Sequence, residues 1–145
     1  MPSVTLLFTN SAGRLTVHSA GFLHTTWGRA PRTLADTQAL FEQMLAQLRA
    51  HGWSRILIDQ TAMLPFNGQE QAWVATDWLP RAVRQGGYRH GAVVTSPDVL
   101  ARLATAYITT TPQHYPVFRS FDSEAEARHW LAQQPAQPGV LPTGT

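Results

Sequence analysis

The chain has 145 residues, 43% of them hydrophobic, with a formal net charge of +2. That is enough apolar material for a core in a chain the length of one ordinary domain, and too little charge to mark a nucleic-acid partner. Cysteine is absent and all 11 basic residues are arginine, which excludes disulfides, thiolate metal sites, cysteine nucleophiles, Schiff bases and a phosphate-reading lysine.

Three strands are expected first: "VTLLFT" at 4–9, "LTVH" from Leu15 with period-two alternation, and "FLHTTW" at 22–27 after Gly21. Their short connections suggest an antiparallel meander. From Leu34 to Ala50 the period changes, and Phe41, Met44, Leu45 and Leu48 share a helical face. Thr33 with Asp36 forms a capping-box start, and Gly52 supplies the stop. "RILID" at 55–59 is a continuous apolar run of the kind found in a strand covered on both faces. Asn67 and Glu70 have capping-box spacing and open a second helix toward Gln85, closed by Gly86 and Gly87. Pro80 lies inside it and should kink it near Trp78.

"HGAVVT" at 90–95 reads as another buried strand. "SPDVLARLATAYI" follows as a helix, with Ser96 as cap and Pro97 in its first position. "VFRSF" at 117–121 is the last strand, and Ser123 with Glu126 begins a final helix that turns Ala127, Trp130 and Leu131 inward. Residues 135–145, "PAQPGVLPTGT", are Pro/Gly-rich without periodicity and read as a disordered tail. Three strands followed by alternating helix and strand imply an α/β fold with a mixed sheet, formed as one domain over 1–134. No apolar run reaches bilayer length and no basic-then-apolar leader opens the chain, so a cytoplasmic location is expected.

This order of elements resembles the anti-sigma-factor antagonist class, the STAS or SpoIIAA-like fold. "HGWSRILID", "WLPRAVRQGGYRHGAVVTSPDVLARLA" and "FRSFDSEAEARHWL" are similar to a bacterial STAS-like branch, over about residues 13 to 133. The resemblance implies a sandwich of sheet and helices that engages protein partners. Members of the class carry a phosphorylatable serine at the start of the helix after the "ILID"-type strand. Here the segment reads "LPFNGQE", with Asn67 in the capping position, and the nearest hydroxyl, Thr61, lies early in the loop.

Asp59, at the carboxyl end of its strand, is where α/β sheets gather ligands. A phospho-acceptor would need an acidic pair and a lysine, so Asp59 is expected to brace the loop that follows. Loop bracing or capping is thus assigned to Asp59, Asn67 and Glu70. His18 and His24, on adjacent strands, could face each other, but no H-x-x-x-H spacing occurs and no acid is near either in sequence. No metal, no cofactor and no catalytic residue is expected. There is no G-x-S-x-G elbow, and Gly86-Gly87 closes a helix instead of opening one.

The apolar loop between strand and helix carries the functional expectation. Met63, Leu64 and Phe66 exceed what the connection needs. Trp73 and Trp78, five residues apart, should not share one narrow helix face whose inward stripe is Ala72, Ala75, Leu79, Ala82 and Val83. Met63, Leu64, Phe66, Trp73 and Trp78 are therefore expected to form a contact surface. The function read from this is a non-enzymatic interaction or regulatory module, binding a protein partner or itself as a homodimer. The alternative is a binding or carrier domain for a small hydrophobic ligand or lipid.

Overall fold

A computed structural model describes residues 4–110 and 114–139. Six strands form one sheet: β1 (Val4–Thr9), β2 (Gly13–His18), β3 (Phe22–Trp27), β4 (Arg55–Asp59), β5 (His90–Val94) and β6 (Val117–Phe121). They lie side by side in sequence order. The first three pair antiparallel, and β3 to β6 run parallel. The helices are α1 (Leu34–His51), α2 (Gly68–Trp73), α3 (Leu79–Gly86), α4 (Val99–Thr109) and α5 (Glu124–Ala132), with a π-turn, Val74–Trp78, between α2 and α3.

Strand order explains the layering. Because the parallel strands advance in one direction, crossovers of one hand place all their helices on one face. That face holds the larger core, in which Leu15, Leu23, Ile56, Ile58 and Val93 of the sheet meet Leu40, Met44, Leu48, Val74, Trp78, Leu79 and Ile108. Among the described residues the opposite face is covered by α5, through Ala127 and Leu131 against Phe22, Leu57, Ala92 and Val94. Trp130, expected inward with them, is half-buried at the edge of this cluster.

The local signals behave as their chemistry requires. Thr33 and Asp36 form a reciprocal capping box on α1, and Gly52 ends the helix at φ 67°, a backbone region open to glycine. Gly91 in β5 is needed for a different reason. A Cβ there would fall 2.3 Å from the Tyr88 hydroxyl and 2.7 Å from the Phe118 ring.

Three expectations need correction. Helix α4 is capped by Asp98, whose Oδ1 accepts from the Leu100 N–H at 3.1 Å, whereas Ser96 caps the turn before it by accepting from the Asp98 N–H at 3.0 Å. His18 and His24 are not opposite each other: His18 pairs with Phe22, on whose ring it stacks, and His24 pairs with Thr16. The segment expected as a disordered tail starts with residues that are held. The carbonyls of Pro135 and Ala136 accept from the hydroxyl and N–H of buried Ser54 at 2.7 and 3.1 Å. Residues 140–145 lie outside the described residues.

Candidate functional site

Strand β4 ends at Asp59, and the chain then turns back over the sheet. Asp59 Oδ1 accepts from both the N–H and the hydroxyl of Thr61, at 2.9 and 2.6 Å. These bonds hold the turn that follows the strand. The next turn is pinned by Gln60, which is buried. Its N–H donates to the Val94 carbonyl at 2.9 Å, and its Oε1 accepts from the Thr105 hydroxyl of α4 at 2.8 Å.

Beyond Gln60 the chain reaches the start of α2. Asn67 accepts from the Glu70 N–H, and Glu70 accepts from the Asn67 N–H, both at 2.8 Å. The asparagine therefore occupies the capping position with its side-chain oxygen already engaged. Glu70 does more than cap. It is buried, and Arg32 meets it in a two-pronged pair at 2.8 and 3.1 Å, with the Thr37 hydroxyl donating to the same carboxylate. Burial pushes the Glu70 carboxyl up. The hydrogen bonds from Arg32, Thr37 and the Asn67 N–H, with the arginine charge, outweigh that and hold it below the usual carboxylate range.

Arg32 is the residue that sequence reasoning missed. Its remaining N–H groups donate to the carbonyls of Leu64 and Pro65, both at 3.2 Å, and its guanidinium lies over the rings of Trp27 and Phe66. One side chain thus holds the loop, the α2 cap and the start of α1 together. Nothing local marks Arg32, because its partner Glu70 is 38 residues away.

The apolar part of the loop departs from the expected contact surface. Met63, Phe66 and Trp78 are core residues, 3%, 5% and 1% exposed. Phe66 sits edge-on to Trp27 with ring centres 5.2 Å apart, and the Trp78 indole N–H donates to the Phe41 carbonyl at 2.7 Å. Trp73 is half-buried and packs edge-on against the Phe41 ring. The physical reason is the π-turn. The Leu79 N–H bonds the Val74 carbonyl five residues back, and this wider turn aligns positions that an α-helix would rotate apart. Both tryptophans consequently reach Phe41, at 5.9 and 4.7 Å between ring centres. The inward stripe shifts with them: Val74, Trp78, Leu79, Ala82 and Val83 are buried, whereas Ala72 is exposed and Ala75 is intermediate. Of the five residues expected at a surface, Leu64 is the exposed one.

The exposed apolar surface near this loop is on α4. Ala101, Ala104, Thr105 and Ile108 face the core, while Val99, Leu100, Leu103 and Tyr107 are 55%, 67%, 62% and 59% exposed. A groove lined by Pro65, Phe66, Gln71, Leu100, Leu103 and Ala104 joins this face to the start of α2. Below α4, a cavity of about 30 Å³ is lined by Trp27, Phe41, Phe66, Trp78, Tyr88 and Ile108 among others. It has the volume of a water or two, against the several hundred Å³ that small-molecule sites enclose. The Tyr88 hydroxyl there is buried without a hydrogen-bond partner, and burial raises its pKa above the ordinary tyrosine value.

The arginines at the end of α3 and just beyond it are tied into the fold. Arg81 bridges Asp77 and Glu42, and Arg89 is buried, donating to the carbonyls of Val83 and Tyr88. Among the described residues no helix is long and apolar enough to cross a membrane.

Searches of curated proteins and of solved structures returned no match. A family model described as SpoIIAA-like matches residues 31–132. That span runs from Arg32 and the α1 cap through the loop, α4 and the whole of α5. The chain belongs to the SpoIIAA-like family, whose members are typically non-enzymatic regulatory or interaction modules.

Proposed function

We propose that this chain is a non-enzymatic interaction module that associates with a second copy of itself through the outer face of α4 and the adjoining Leu64. One observation carries the reading: four large apolar side chains on a single short helix are each more than half exposed. Contiguous exposed apolar groups of that kind mark interaction surfaces, because leaving them in water is unfavourable. Leu100, Leu103 and Tyr107 follow the narrow three-and-four spacing of a seam between two helices. A two-fold pairing requires only that such a stripe complement itself.

The loop supports the surface from below. Arg32 fixes the Leu64 and Pro65 carbonyls, and Gln60 fixes α4 through Thr105, so groove and helix face are held in register without a conformational switch at Asn67. The carrier alternative is less well supported, because the cavity beneath α4 is too small for a lipid-sized ligand.

Sedimentation velocity over a concentration series tests the reading. The wild-type chain should show a reversible shift from monomer to dimer, and Leu103→Glu should remain a monomer with its denaturant midpoint nearly unchanged. A wild-type chain that stays monomeric at high concentration, or a Leu103→Glu variant that dimerises equally well, overturns it.

A further inference from the structure

Helix α5 lies antiparallel to β4, and its two ends are fastened differently. At the C-terminal end, buried Arg55 donates to the carbonyls of Leu131 and Gln134 and, from its other nitrogen, to Ala20 and Gly21. At the N-terminal end, three side chains from three elements converge. His24 of β3, Asp59 of β4 and Glu124 of α5 each offer one ligand atom, and these atoms lie within 4.8 Å of one another.

The fold brings them together because Thr26 pairs with Asp59 across the parallel β3–β4 ladder, so His24, two residues before Thr26, points to the same face as Asp59. Glu124 is the first residue of α5, which packs on that face. His24 Nε2 is buried, lies 3.7 Å from Glu124 Oε1, and has no hydrogen-bond partner. A distance of 3.7 Å is too long for a hydrogen bond. It is close to the spacing of about 3.4 Å between two donors on one tetrahedral zinc ion.

We propose that His24, Asp59 and Glu124 form a binding site for a divalent cation of the zinc class, which would fasten the N-terminal end of α5 to the sheet.

The surroundings are arranged as ligands are usually supported. Asp59 has its Oδ1 held by Thr61, which orients its other oxygen. Glu124 has Oε2 held by Arg128 at 2.8 Å, while Oε1 is the atom nearest His24. Carboxylates braced in this way keep one oxygen aimed at the metal. Burial holds the His24 imidazole below its ordinary pKa, with Glu124 and Asp59 acting against that and Arg128 and His18 with it. The charges facing the site are Asp59, Glu124 and Arg128, a net of −1 that a dication reverses without accumulating like charge. An imidazole in the set favours zinc over magnesium, which demands oxygen and keeps its water. Three protein ligands leave a fourth tetrahedral position to water.

The test uses the untagged chain, stripped with chelator, and titrates Zn²⁺ by calorimetry beside a thermal melt. One equivalent should bind saturably and raise the melting temperature as its concentration rises, since a ligand of the native state stabilises it. Mg²⁺ at the same concentration should do neither. Glu124→Gln, at a half-exposed position, and Asp59→Asn should each weaken binding by more than about tenfold, because even the partners of ligands contribute that much. His51→Gln, distant in the fold, should leave binding unchanged. No saturable uptake, equal affinity for Mg²⁺, uptake that survives both carboxylate variants, or loss on His51→Gln would each overturn the proposal.

Discussion

Replacing Arg32 by alanine would leave the Glu70 carboxylate inside the protein without its counter-charge, with the Leu64 and Pro65 carbonyls also losing a donor. Breaking one half of a buried pair costs about 3–5 kcal/mol, and urea melts should show a loss in that range. The same pair sets an acid limb. Glu70 has a folded pKa below its ordinary value, so its contribution is complete above the unfolded carboxylate range and is lost as pH falls through the folded value. Glu70→Gln should lack that component, and stability measured from pH 5 downward should fall less steeply than in the wild-type chain. Phe66 belongs to the same cluster. Phe66→Ser should cost about 3 kcal/mol or more while leaving any self-association seen by sedimentation intact, as expected for a residue of the core. At this scale sequence reading reached Asn67, Glu70 and Asp59, because a cap and a braced turn are chemistry between near neighbours. It could not reach Arg32, nor assemble His24, Asp59 and Glu124, because topology alone unites them.

The elements were legible wherever periodicity and caps agreed. The failures occurred where a helix departed from its own period. A run of 3.6-residue turns separates Trp73 from Trp78, and one π-turn realigns them over Phe41. Pro80 supplies no N–H and follows directly on the Leu79–Val74 bond, so an α-helical ladder has no donor at that point. Pro80→Ala restores the donor. The near-ultraviolet circular dichroism of the variant should change as Trp73 and Trp78 lose their common neighbour, while the far-ultraviolet spectrum holds its helix content. An unchanged near-ultraviolet spectrum would assign the π-turn to packing and remove proline as its cause. The start of α4 carries a similar lesson. Ser96 and Asp98 are both good caps, and the choice fell to Asp98 because Ser96 is occupied by the turn.

For the whole molecule, the order of three strands followed by alternating helix and strand was enough to give the mixed sheet. The pairing of neighbours in sequence leaves few alternatives once the strands are identified. What the pattern could not convey is how the end of the described chain is tied in. A Pro/Gly-rich segment has no apolar period, yet Pro135 and Ala136 bind Ser54 through their carbonyls, and carbonyls are common to all residues. Ending the chain at Gln134 should therefore lower stability by about 1–3 kcal/mol, the range for uncovering buried donors. Denaturant melts of that truncation, set beside the full chain, measure it.

A sheet whose strands stand in the order of the sequence can be assembled in the order in which it is synthesised. Each new strand finds its neighbour already in place, and each crossover closes against a surface built moments before. The second face is the exception. Leu57, Ala92 and Val94 wait for α5, which follows β6 in the chain. A nascent chain halted after β6 would hold a finished sheet with one apolar side bare, the form of this protein most exposed to chaperones and to aggregation.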